Sequence, residues 1–274
     1  MTNAVSRIVV AVVLAPVVLV VAYHLAGWWL FGLVAVAAFI SLHEFWLMAR
    51  PLRPLAPAGY VAVVLGLVGA QLGGATWLLG GLLTSLALGF ALKAISEARQ
   101  GATISIGGTV LGTLWIGGGL GALILLRAIP ANGALAVLTV LLAVWAGDTF
   151  AYLGGRLLGR HKMAPATSPG KTWEGFVFGS AATVFVTFVA LYERARPHSH
   201  GQHFLSIGQS LVLGAVLAAA APLGDLFESL VKRDAGVKDS GTLLGGHGGM
   251  LDRLDAFLFA APAAYWCILA FGHG

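Results

Sequence analysis

The residues best suited to chemistry lie between Gly224 and Phe257, in GDLFESLVKRDAGVKDSGTLLGGHGGMLDRLDAF. Carboxylates mark both ends: Asp225 and Glu228 on one side, Asp252 and Asp255 on the other. Between or beside them stand Lys232, Arg233, Lys238, Asp239, His247 and Arg253. Paired carboxylates suit Mg²⁺, which takes one or two of them and leaves its other positions to water and substrate phosphates. The cations and the bare backbone of glycines such as Gly248 and Gly249 suit a polyanion. Taken singly, Asp252 also reads as a helix N-cap and Asp225 as a polar residue at a helix end.

A second stretch, Trp145 to Gly175, reads WAGDTFAYLGGRLLGRHKMAPATSPGKTWEG. Asp148 falls inside an apolar helix, with Tyr152 one turn later on the same face. An aspartate there faces protein or water, as a tie between helices or as part of a site. Arg156, Arg160, His161 and Lys162 follow where such a helix meets headgroups. Ser168-Pro169-Gly170-Lys171-Thr172 contains Gly-Lys-Thr, but Pro165 occupies the position where a phosphate loop needs its first glycine. The local physics still applies. Thr172 precedes an apolar run and Glu174 sits in its first turn, so Lys171 and backbone N–H groups can face an anion.

The elements that position these residues follow from composition. The chain is 58% hydrophobic and 10% charged over 274 residues, with mean hydropathy +0.90. Such a chain is a polytopic membrane protein. The expected fold is all-α, a membrane helix bundle of about nine spans at 5–23, 26–48, 57–73, 75–95, 104–128, 133–154, 173–192, 206–227 and 254–272. One integral membrane domain, 1–274, is expected, with residues 1–130 as N-terminal helices and 131–274 carrying the catalytic helices and loops. The first span is read as a retained helix rather than a cleaved signal. Cys267 is the sole cysteine, so no disulfide forms within the chain. The glycines of GGTVLGTLWIGGGLG, 107–121, are read as helix-packing residues.

Nine spans put the termini on opposite sides. Of sixteen Lys and Arg, only Arg127, Arg194 and Arg196 fall on the side of the 193–205 loop, which leaves thirteen with the N-terminus and the loops 155–172 and 228–253. The positive-inside rule then makes those loops cytoplasmic. His198, His200 and His203 lack an accompanying acid or cysteine and read as a solvated loop. Glu44, beside His43 in the second span, either pairs with a base or lines a cavity.

The run Ser229-x-Val231-Lys232-Arg233-x4-Lys238-Asp239-x-Gly241-x2-Leu244-Gly245-x-His247-Gly248-Gly249-Met250-x-Asp252-Arg253-Leu254-Asp255 resembles the motif of phosphatidate cytidylyltransferases, the CDP-diacylglycerol synthases. Trp145, Asp148, Tyr152, Arg156, His161, Lys162, Ser168, Lys171, Thr172 and Glu174 also look like this family. The likeness covers roughly 144–257. Gly245 stands where proline is usual, and Ala256 where serine is common.

The resemblance implies conversion of CTP and phosphatidate to CDP-diacylglycerol and pyrophosphate with Mg²⁺, in a bacterial inner membrane. It maps the metal to Asp225 and Asp252, and phosphate clamping to Lys171, Lys232, Arg233, Lys238 and Arg253. Asp148, Arg156, Lys162, Ser168, Thr172, Glu174, Glu228, Asp239, His247, Gly248, Gly249 and Asp255 are the candidate substrate-binding residues. Membrane lipid is the expected surroundings and a homodimer the implied assembly; no nucleic-acid partner is expected. Two other readings use the same residues. A CTP-dependent kinase of a polyprenyl or phytyl alcohol would release CDP and need a base for a neutral hydroxyl. An ion-coupled transporter would use Asp148, Glu44 and Asp225 as a path, but would be expected to show repeated halves.

Overall fold

A computed structural model describes residues 16–96, 101–192, 204–241 and 248–272. Among these, seven helices are long and apolar enough to cross a membrane, as an integral membrane protein requires. They are α1 (Gly27–Met48), α2 (Ala56–Ile95), α3 (Ala102–Arg127), α4 (Gly133–Leu158), α5 (Trp173–Tyr192), α6 (Ile207–Asp234) and α7 (Leu251–Ala270). Residues 16–24 are also helical. The earlier part of the expected first span, with Arg7, lies outside the described residues, as do Arg99, Arg194, Arg196, His198, His200, His203 and His247.

The two spans expected at 57–73 and 75–95 both lie in α2, whose helical geometry breaks at Gly74 (φ +77°). Only glycine adopts that φ without a Cβ penalty. The arms fold back closely enough that a Cβ on Gly69 would stand 2.6 Å from the Trp77 carbonyl. Glycine in 107–121 serves packing too. A Cβ on Gly112 would meet the Phe45 ring at 2.5 Å, and one on Gly121 the Leu78 side chain at 2.6 Å. A five-residue π segment, Thr113–Gly117, interrupts α3.

The structure differs from the expectation at two places along the second half. The span expected at 206–227 continues to Asp234, and the last helix starts at Leu251, so Lys232 and Arg233 belong to a helix rather than a loop. Nothing between Gly224 and Asp234 breaks a helix. The stop comes at Gly236 (φ +70°), where Gly236 N–H donates to the Arg233 carbonyl and Val237 N–H to that of Lys232. This paired closure is a Schellman cap, and cations in the last turn suit the helix dipole. The second difference is a small antiparallel hairpin, β1 (Lys162–Ala164) and β2 (Ser168–Thr172), inside the expected 155–172 loop.

The helices and loops form two compact units, Met1–Ala128 with Val231–Leu254, and Ile129–Leu230 with Asp255–Gly274. In the first, Leu42, Phe45, Leu82, Ile116, Leu120 and Ile124 form a fully buried core. In the second, α4 and α5 meet along small residues. A Cβ on Gly175 would lie 2.6 Å from the Ala151 carbonyl, and one on Gly179 2.7 Å from that of Gly147. Small residues at four-residue spacing bring two backbones together, and dispersion between them then holds the pair in a membrane.

Candidate functional site

In the second unit, α4, the hairpin and the start of α5 enclose a cavity of ≈ 480 Å³ together with α6. Asp148, Tyr152 and Arg156 recur every four residues on α4 and so line one face of it. The Arg156 guanidinium donates to the Tyr152 hydroxyl at 3.0 Å. Ser168, Gly170, Lys171 and Thr172 enter from β2, and Asp225 from α6.

Lys171 is the central cation of this cavity. Its Nζ lies 2.7 Å from Asp225 Oδ2 and donates to the Pro222 carbonyl at 3.3 Å. Pro222 sits inside α6, where the missing N–H already disturbs the helix ladder. Ser229 donates to the other Asp225 oxygen at 3.4 Å. The pair is only part-buried, with 21% of the Lys171 side chain and 36% of the Asp225 side chain exposed. Both ends therefore remain open to a ligand.

The hairpin that carries Lys171 is fastened at its base. Thr172 caps α5, its Oγ1 accepting from Gly175 N–H at 3.2 Å. Glu174 turns the other way and takes His161, with Oε1 2.6 Å from Nδ1 and backbone N–H bonds of 3.2 and 3.3 Å. Glu174 thus ties the two ends of the hairpin rather than lining the cavity, and Lys162 is exposed on β1.

In the first unit the carboxylate Asp252 opens α7. Its Oδ1 lies 2.7 Å from Lys232 Nζ. Its Oδ2 accepts from Ser240 N–H at 2.9 Å, Ser240 Oγ at 3.0 Å and Gly249 N–H at 2.7 Å. Asp252 is not the N-cap the sequence suggested: it lies within the first turn of α7, and its bond runs back to the Gly249 amide before the helix. Behind Asp252 lies Glu44, a 4% exposed residue of α1. Glu44 accepts from Ser240 Oγ, Met250 N–H and Leu251 N–H, all at 2.9 Å. Among the described residues, Glu44 meets Ser240 and the Met250 and Leu251 amides, and so holds the chain entering α7.

This network accounts for local glycine. A Cβ on Gly249 would collide with Ser240 Oγ and Glu44 Oε2, and one on Gly248 (φ +78°) would stand 2.5 Å from Asp252 Oδ2. The glycines there admit two carboxylates against the main chain. Arg233, Lys238, Asp239 and Arg253 are exposed, Asp255 is part-buried, and Glu228 is fully buried on α6. Among the described residues no group of three or more His, Cys, Asp or Glu is placed to hold a metal. Glu44 and Ser240 were absent from the sequence-derived site. The signal for Glu44 was present, since an ionisable residue inside an apolar span marks a site or a tie. Its partner, 196 positions away, was not legible.

The chain aligns with proteins of known name over about half its length. It is 43% identical over 133 residues to phosphatidate cytidylyltransferase of Thermotoga maritima, covering 48% of each chain. It is 38% identical over 138 residues to that of Haemophilus influenzae, covering 48% of this chain and 45% of the relative. It is 39% identical over 133 residues to phosphatidate cytidylyltransferase 5, chloroplastic, of Arabidopsis thaliana, covering 48% and 31%. The chain thus spans about half the length, or less, of the curated relatives it matches. The model of the cytidylyltransferase family matches residues 5–271, nearly the whole length, and the chain belongs to that family.

Proposed function

We propose that the protein transfers a cytidylyl group from CTP to phosphatidate, giving CDP-diacylglycerol and pyrophosphate. The observation that carries this reading is the cavity holding Lys171, Asp225, Asp148 and Arg156 in a chain built of membrane spans. The similarity to proteins named phosphatidate cytidylyltransferase favours the same reaction. A phosphatidate oxygen forms a bond to the α-phosphorus of CTP. The bond from that phosphorus to the β-bridging oxygen breaks, and its electron pair leaves with pyrophosphate. A phosphate monoester has a second pKa of about 6, so the attacking oxygen is already largely ionised and no strong base is needed.

The chain's own task is to bring polyanions together and stabilise departing charge. Lys171 is suited to this because its cavity side remains open. Lys232, Arg233, Lys238 and Arg253 supply further cations, and Ser168 and Thr172 supply hydroxyls. Mg²⁺ fits the donors present. Asp225 and Asp252 each offer hard carboxylate oxygen, and each already holds a cation, a lysine ammonium, at 2.7 Å. Each of the two, within its own unit, would offer carboxylate oxygen to the ion, which supplies charge neutralisation at phosphates. Lys171 and Lys232, which pair with these aspartates, would be the cations offered to phosphate oxygens.

The cationic loops face the cytoplasm of a bacterial inner membrane in this reading, on the thirteen-to-three Lys and Arg distribution. Membrane lipid then delivers phosphatidate laterally, and a homodimer is the assembly. The test is purified full-length protein in nanodiscs with labelled CTP, phosphatidate and Mg²⁺. CDP-lipid and pyrophosphate in equal amounts are expected. Phospholipid with CDP would instead identify an alcohol kinase, and no turnover of CTP would refute both.

A further inference from the structure

The proposed reaction makes no use of the buried Glu44. Glu44 comes from α1, far in sequence from the charged motif, yet it makes three hydrogen bonds to the segment that presents Asp252. Ser240 joins the two carboxylates. Its Oγ lies 2.9 Å from Glu44 Oε2 and 3.0 Å from Asp252 Oδ2, while its N–H donates to the same Asp252 oxygen. Glu44 is 4% exposed and Ser240 also 4%, so both are removed from bulk solvent.

We propose that Glu44 is a positioning residue for the cytidylyl transfer: through Ser240 and the Met250 and Leu251 amides it fixes where Asp252 points. The inference rests on the proposed function. The physical reason is geometric. Asp252 has one oxygen on Lys232 and the other held by the Ser240 and Gly249 amides and by the Ser240 hydroxyl, whose single proton it shares with Glu44. Ser240 can hold that oxygen only if its own position is set, and Glu44 sets it. A buried carboxylate accepting three donors locks the segment because releasing it would leave charge and N–H groups unpaired. The glycines agree with this. A Cβ on Gly241 would stand 2.7 Å from Glu44 Oε1, and Gly249 admits both Ser240 and Glu44. Partners behind a metal or phosphate ligand typically contribute about 10-fold to 100-fold in affinity or activity.

The test uses full-length protein in nanodiscs and the variants Glu44→Gln, Glu44→Asp and Ser240→Ala. Glu44→Gln replaces one acceptor oxygen by an NH₂ group that opposes the donors. It is expected to lower kcat about 10-fold to 100-fold and to raise the Mg²⁺ concentration for half-maximal rate, with KM for phosphatidate unchanged. Glu44→Asp should recover part of the loss. Ser240→Ala keeps the Glu44 bonds to Met250 and Leu251 and removes only the link, so it decides the matter should Glu44→Gln fail to fold. It is expected to show the same Mg²⁺ shift.

Hydrogen exchange gives a readout independent of turnover. In Glu44→Gln the amides of Ser240 and Gly249, which bond Asp252, should exchange faster. A merely structural cap would speed only Met250 and Leu251 and leave the Mg²⁺ dependence of Ser240→Ala at wild type; that pattern overturns the proposal. Wild-type protein that makes no CDP-lipid would refute the functional reading instead, while the exchange at Ser240 and Gly249 would still report the coupling.

Discussion

Removing the ammonium of Lys171 is the sharpest test of the cavity. The Nζ to Oδ2 separation of 2.7 Å to Asp225 corresponds to roughly 6 kcal/mol of raw Coulomb attraction at an effective dielectric constant near 20. Very little of that is folding stability. The two side chains are 21% and 36% exposed, and pairs so hydrated typically contribute about 1 kcal/mol or less. Lys171→Ala should therefore insert normally and melt within a few degrees of wild type. The catalytic cost is set differently, because in the proposed reaction the same charge faces polyanionic substrates. Loss of a main electrostatic donor costs about 10²- to 10³-fold in kcat, or about 3–4 kcal/mol of barrier. Lys171→Arg should recover only part, since a planar guanidinium does not reproduce a point ammonium held between Asp225 and the Pro222 carbonyl. Asp225→Asn in the Lys171→Ala background should cost less than it does alone, because the two act as a unit. The assay is initial rate of CDP-lipid formation at saturating CTP, with thermal melting on the same preparations. Near-native turnover in Lys171→Ala would refute the reasoning.

Asp225→Asn and Asp252→Asn should each lower the rate on the order of 100-fold and alter the Mg²⁺ titration, whereas Asp255→Asn, whose Oδ1 accepts from the neighbouring Ala256 amide, should cost less; a wild type indifferent to chelator would remove the metal from the account. Gly175→Ala gains about 1 kcal/mol in helix propensity, but its Cβ meets the Ala151 carbonyl at 2.6 Å, and overpacking typically costs about 1–3 kcal/mol. A net loss of thermal stability is expected, with Gly107→Ala, where nothing lies within 4 Å, as the unstrained comparison. Glu174→Gln should loosen the hairpin through His161 and reduce turnover less than Lys171→Ala does, as read by rate and by exchange of the His161 amide. Reporter fusions at residue 240 and within 193–205 should report opposite sides of the membrane, and the same side from both would overturn the charge-based orientation.

Membrane spans and chemistry-bearing residues were legible from the sequence for related reasons. Burial in lipid demands long apolar runs, so α1, α4 and α5 fall within a few residues of their expected ranges. A charged residue in such a chain stands out, and Asp148, Lys171, Asp225 and Asp252 were found that way. The end of α6 was harder to place, because polar residues do not stop a helix. Lys232 and Arg233 continue it until Gly236 supplies a left-handed φ, and loop and helix share the same composition there. The sequence also made the Gly-Lys-Thr run look like a helix entrance facing an anion. Folding places Lys171 on the strand that leads into α5, with Thr172 as its cap and both on the cavity wall.

What the sequence by itself determined is a membrane bundle with a charged, glycine-rich motif, since hydropathy, charge and span length are properties of local composition. Which carboxylate does what was decided by tertiary structure. Asp225 meets Lys171 across 54 positions, and Glu44 meets Ser240 across 196. The roles of Gly248 and Gly249 likewise depend on carboxylates brought against them by the fold. Hydrogen bonds and ion pairs act only over a few ångströms, and one-dimensional spacing does not report which distant residues come that close.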